Sequence, residues 1–208
     1  CLSQDAGVME GWSVGFAAAL AALDPARWTA SALLMTAAMM LPLSAPMITH
    51  IAGRSFAARR HRAVGLFVTG FTLVWLLALG GTALLILVAQ LSLARAGGVL
   101  VPTLGLVAAG WQCSSPKVRA VNRCHGVVPL RARGPAADRD ALAFGLLHGS
   151  RCVRACLPAM APLLAAPHGL LPMAAVSAVL LAERARRYPQ YRTSAVILLL
   201  VGLHAALA

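Results

Sequence analysis

Long apolar runs separated by short arginine clusters dominate the chain. Residues 28–52, WTASALLMTAAMMLPLSAPMITHIA, and residues 63–94 each run without a lysine, arginine, aspartate or glutamate. A bilayer span needs about 20 predominantly apolar residues, so both are long enough to cross. Residues 97–111 are shorter but uncharged. Residues 141–165 and 169–183 form a pair broken near APHG, and residues 191–208 supply a sixth apolar run. The stretch GWSVGFAAALAAL at 11–23 is too short to cross and reads as an interfacial or re-entrant helix. The pattern predicts an all-α fold: a polytopic transmembrane helix bundle of about six spans over residues 28–208. Residues 1–27 are expected to form a periplasmic or interfacial segment.

Charge supports this division. The intervals 53–62, 112–140 and 184–193 carry Arg54, Arg59, Arg60 and Arg62, then Lys117, Arg119, Arg123, Arg131, Arg133 and Arg139, then Arg184, Arg186, Arg187 and Arg192. The alternate connections hold only Arg95 and His168. Six spans put all three basic intervals on one face, which the positive-inside rule assigns to the cytoplasm. The expectation is a multi-pass protein of the bacterial inner membrane. The net charge of +12 comes from 18 basic and 6 acidic residues, yet aromatic residues are only 5% and 60% of the chain is hydrophobic. A nucleic-acid groove is excluded on that balance, and the lipid bilayer is the expected partner. The five cysteines are an odd number and suggest no disulfide framework.

One apolar segment carries chemistry. In GLLHGSRCVRACLPAMAPLL, residues 145–164, His148, Cys152, Cys156 and Met160 are spaced by four, so they share one helix face. The stripe is about 18 Å long at helical rise, so one ion cannot touch all four, although neighbouring pairs can hold one. Thiolates and thioethers favour soft ions, copper(I) above all. Pro158 can bend the helix between Cys156 and Met160. The same residues are also ordinary packing side chains in an apolar helix, and C-x-x-x-C is not the spacing of a thioredoxin-type pair. Arg151 and Arg154 lie well inside this run and need an anion or water. All six acids fall at the ends of the apolar runs or outside them, so a thiolate, a lipid phosphate or a thinned bilayer is the expected partner.

The first run offers more sulfur. Met39 and Met40 stand between Met35 and Met47, beside Pro42 and Pro46, at a depth similar to the two cysteines. A Met/Cys site forms if the two helices are neighbours; otherwise the methionines fill space beside a kink. In WQCSSPKVRAVNRCHG, Cys124 is a candidate docking thiol on the cytoplasmic side, while its spacing from Cys113 makes no zinc knuckle. His50, His61, His168 and His204 read as interfacial. No acid/base pair lies in any span and no nucleotide loop is present, so an enzyme is not expected.

Three stretches together resemble one family. AMMLPLSAPM at 38–47 is similar to its A-M-M-L-P-x-x-x-P-M. Trp111-Gln112 with Pro116, Lys117 and Cys124 resembles its W-Q-x-x-P…K…C loop. Gly145, Gly149, Cys152, Cys156 and Met160 resemble G-x-x-x-G-x-x-C-x-x-C-C-W-x-x-M. Phe71, Trp75 and Glu183 also fit, and the resemblance covers about residues 28–190. The family is one of bacterial predicted metal-binding integral membrane proteins, carried as a domain of unknown function and sometimes labelled a copper chaperone. Here Ala155 stands for the first of its tandem cysteines and Leu157 for its tryptophan, the loop proline is displaced by one, and APHGLL replaces its Met-Asn. The ligand set is therefore thinner than the family's. The reading that follows is a membrane protein that handles copper(I) or a similar soft ion. Cys152, Cys156, Met160, His148, Met39, Met40 and Cys124 are its candidate ligands, and a copper-accepting protein or other membrane subunits are its partners. The alternative is a non-catalytic structural or assembly subunit of a larger membrane complex, packed through its small residues.

Overall fold

The computed structural model describes residues 25–92, 100–131, 133–165, 170–185, 194–197 and 199–200. Among them are seven α-helices and no strand. Helix α1 covers Pro25–Met35, and a π-helical turn, Thr36–Met40, joins it to α2, Leu41–Arg54. A short 3₁₀ turn leads into α3, Arg60–Ser92; α4 is Leu100–Gln112, α5 Ser115–Cys124, α6 Gly134–Ala165 and α7 Leu170–Ala185.

Helices α3 and α6 form the spine and run parallel: Arg59 and Arg62 meet Asp138, Phe67 meets Gly145, Phe71 meets Gly149 and Gln90 reaches Ala165. On α3, Phe67, Phe71, Trp75 and Leu79 recur every four residues and are fully buried, while Leu73, Leu77, Leu84, Leu85 and Val88 are exposed. This is a one-faced helix despite its uniformly apolar sequence. On α6 the buried face runs through Phe144, His148, Cys152, Cys156, Met160 and Leu163. The two axes meet where glycine removes the side chain. A Cβ on Gly145 would strike the backbone of Phe67, and one on Gly70 would come within 2.7 Å of the Leu142 carbonyl oxygen. Small residues at these crossings let the helix backbones touch.

Two apolar clusters fill the interior. Met47, Ile51, Ala63, Phe67, Ala141 and Phe144 form one beside the start of α6. The other gathers α1, the π turn, α3, α5, α6 and α7 around Phe71, Trp75, Cys152, Cys156, Met160 and Leu180. Near the first cluster, Asp138 pairs with Arg59 and Arg62, the latter at 2.8 Å.

The helical class agrees with expectation, and among the described residues two helices qualify as spans. Trp28–Arg54 and Ala57–Gln90 are long and apolar enough to cross a membrane, and Leu100–Gln112 is apolar but shorter. Helix α6 is long enough, but Asp138, Arg139 and Asp140 near its start and Arg151 and Arg154 at its centre interrupt it. Helix α7 has 16 residues. The expected helix at 11–23 and most of the sixth run lie outside the described residues. The interval 112–140 is not a plain loop: it contains α5, whose Lys117, Ala120, Val121 and Cys124 are buried.

Gly145→Ala is expected to destabilise the fold by about 1–3 kcal/mol or more through overpacking. Gly81→Ala, where a Cβ meets nothing within 4 Å, is expected to be neutral or mildly stabilising. Denaturation midpoints of the two purified variants check this; equal midpoints would contradict the close crossing.

Candidate functional site

The site starts from a missing amide. Pro42 has no backbone N–H, so the Ala38 carbonyl loses its helical donor. The ladder widens, and the Leu41 N–H bonds to the Thr36 carbonyl five residues back. In this wider turn successive residues diverge less around the axis, and both Met39 and Met40 point inward and are buried. They share a core with Met35, Cys124, Cys152, Cys156 and Met160. Seven sulfur side chains from four segments therefore meet in one interior.

Cys152 and Cys156 lie one turn apart on α6 and are both buried. The guanidinium of Arg184, from the last turn of α7, bridges to the opposite wall. Its Nη2 donates to Cys152 Sγ at 3.3 Å and its Nη1 to the Leu43 carbonyl at 2.7 Å. One cation thus ties the thiol helix, the methionine helix and α7 together. The interval 184–193 had been expected to lie in a solvated loop, but Arg184 reaches into the core.

A second charged group lies beside it. Lys117 is fully buried; its Nζ sits 3.1 Å from Glu183 and donates to the Ala155 carbonyl at 2.8 Å. Gln112 donates from Nε2 to the same carboxylate. The ends of α4 and α7, the start of α5 and the middle of α6 all come to one level here. Glu183 is thus a carboxylate at the centre of α6, where none was expected, and Lys117 is its partner. The two α6 arginines go elsewhere: Arg151 donates to the Gly126 carbonyl at 3.0 Å, and Arg154 is exposed. Arg184 was not foreseen as the cation at the thiol. The only hint was its adjacency to Glu183, which the resemblance had singled out.

His148, one turn before Cys152, is fully buried among Phe67, Phe71 and Phe144. Its Nε2 lies 3.5 Å from Ser44 Oγ, and its Nδ1 has no hydrogen-bond partner among the described residues. Thr36 Oγ1 and Trp75 Nε1, in the sulfur-lined core, are likewise unpartnered there. Cys124, the candidate docking thiol on the cytoplasmic side, is buried on the last turn of α5, because the amphipathic α5 folds back on α6. Burial outweighs its neighbouring cations and pushes its thiol up to about 11. Cys113 is the exposed cysteine.

The donors fit a soft monovalent ion better than a hard or divalent one. Among the described residues, no three His, Cys, Asp or Glu side chains converge on a point that could hold a metal. One pair of thiols on α6, a separate thiol on α5 and neutral thioethers are what the interior offers. Such a set suits copper(I) and falls short of a structural zinc cage, which takes four converging Cys, His or carboxylate ligands.

The family model for PpoB2, a copper chaperone, matches residues 28–207. No curated protein and no solved structure matches the chain.

Lys117→Met leaves Glu183 buried without its cation and is expected to cost about 3–5 kcal/mol, with Lys117→Met/Glu183→Met recovering part of the loss. Urea or thermal unfolding of the single and double variants checks it. For Cys124, the unfolded thiol ionises near 9 and the folded one only near 11. Its contribution is therefore constant below pH 9 and falls as pH rises from 9 to 11. Unfolding midpoints of wild type and Cys124→Ala across that window are expected to converge; parallel pH profiles would contradict the burial of this thiol.

Proposed function

The chain belongs to the PpoB2 copper-chaperone family, and from that premise we propose that it is an integral membrane protein that holds copper(I) as cargo and passes it to an acceptor. The observation that carries the proposal is the meeting of the α6 thiols and the π-turn methionines in one closed core. Cys152 and Cys156 are the primary ligands. Met39, Met40 and Met160 are thioether partners, and His148 stands one turn before the pair. Thiolates bind copper(I) through ligand exchange, with no covalent step. A stripe of donors at four-residue spacing lets the ion move between neighbouring pairs. Cys124 is enclosed in the same core, outside the Cys152–Cys156 pair, and is not a surface dock.

The membrane reading rests on the two long apolar helices, on their outward leucines and on the distribution of arginine. The cationic segments 54–62, α5 and 131–139 all lie on the side of α6 that runs from its centre toward its start. The outward Leu77, Leu84, Leu85 and Val88 of α3 lie on the other side. Placing the hydrocarbon on the leucine side puts the sulfur core near its cytoplasmic boundary, in a bacterial inner membrane. Arg154 then meets headgroups and water, which removes the cost of an arginine at mid-bilayer.

Anaerobic titration of the purified protein with copper(I) is the test. One tightly held ion per chain is expected, lost in Cys152→Ser and Cys156→Ser and kept in Cys113→Ser. No tight binding in the unmutated chain, together with stably co-purifying membrane proteins, would favour the structural-subunit alternative.

A further inference from the structure

We infer that Arg184 sets the charge preference of the sulfur site, making it selective for a monovalent soft cation over divalent ions. The inference rests on the reading that Cys152 and Cys156 hold the metal. Metal binding takes the thiolate form, so the two ligands bring two negative charges into a closed interior. Facing them are Arg184 from α7, in contact with Cys152 Sγ, and the Lys117–Glu183 pair from α5 and α7, which cancels itself. Arg151 from α6 is half-buried and turned to the Gly126 carbonyl. His148 and the methionines are neutral donors.

The count comes to one net negative charge. Copper(I) or silver(I) brings it to zero, whereas zinc(II) or cadmium(II) leaves an uncompensated positive charge. In a buried site an uncompensated charge is strongly disfavoured. A third thiolate would reverse the preference, but no three such ligands converge among the described residues. Arginine is suited to the role because its guanidinium stays charged at every accessible pH and spans two acceptors. Here it is held by the Leu43 carbonyl as well as by the sulfur. Arg184 is a positioning and charge-setting residue that acts on the ion through the thiolate it touches.

The test measures silver(I) and cadmium(II) affinities of the full chain by chelator competition, for wild type, Arg184→Met, Arg184→Gln and Arg184→Lys. Far-UV circular dichroism and unfolding midpoints serve as folding controls. Wild type is expected to prefer silver(I). Arg184→Met and Arg184→Gln are each expected to shift that preference toward cadmium(II) by about tenfold or more. Arg184→Lys, which keeps the charge and loses the fork, is expected to retain the preference, a rescue that a purely structural role would not predict. Should one neutral variant fail to fold, the other carries the comparison. An unchanged ratio in a folded neutral variant, with both metals still displaced by Cys152→Ser, overturns the inference and leaves copper handling standing. Binding of neither ion by wild type sinks both together.

Discussion

The direct backbone contact between α3 and α6 is the constraint from which the interior follows. With a glycine at each crossing, two helices of 33 and 32 residues lie close enough for every fourth side chain of each to face the other. That register fixes what surrounds each polar group of α6. His148 falls among phenylalanines, and the two cysteines share a cluster with Phe71, Trp75 and Leu79. Glu183 and Lys117 meet at the level where α4, α5 and α7 reach this spine. Moving the spine by one residue would turn the thiols out of the core.

Much of the candidate site was legible because spacing alone puts residues on a face. The stripe from His148 to Met160 is a matter of four-residue intervals, and the structure buries all four. Burial of the Met39-Met40 pair was harder to foresee, since neighbours in a regular helix point about 100° apart. Only the π register brings both inward. Among the described residues only two of the six apolar runs form helices that are both long and apolar enough to span, because apolar run length ignores where a helix stops. Helix α4 ends at Gln112 and α7 at Ala185, both at a polar junction inside the bundle.

What sequence could not show was the pairing of charges. Read linearly, Lys117 and Arg184 belong to basic loops, and Glu183 to the end of an apolar run. Their partners are 66, 32 and 66 residues away, respectively, in Glu183, Cys152 and Lys117. Sidedness rules weigh such residues by count, and no count tells a solvated arginine from one that spans a thiol and a carbonyl. Of the arginines that look anomalous in the sequence, Arg154 is exposed and Arg151 is half-buried against the Gly126 carbonyl.

The π turn carries a consequence for how this interior tolerates change. Its widened ladder exists because one ring nitrogen at position 42 carries no hydrogen. An amide-bearing residue there would let the coil rewind to its ordinary pitch and swing one of the two consecutive thioethers toward the outside. The proline therefore works as a spelling rule for the rod: it lets two adjacent letters be read from the same side, which regular winding denies a linear polymer.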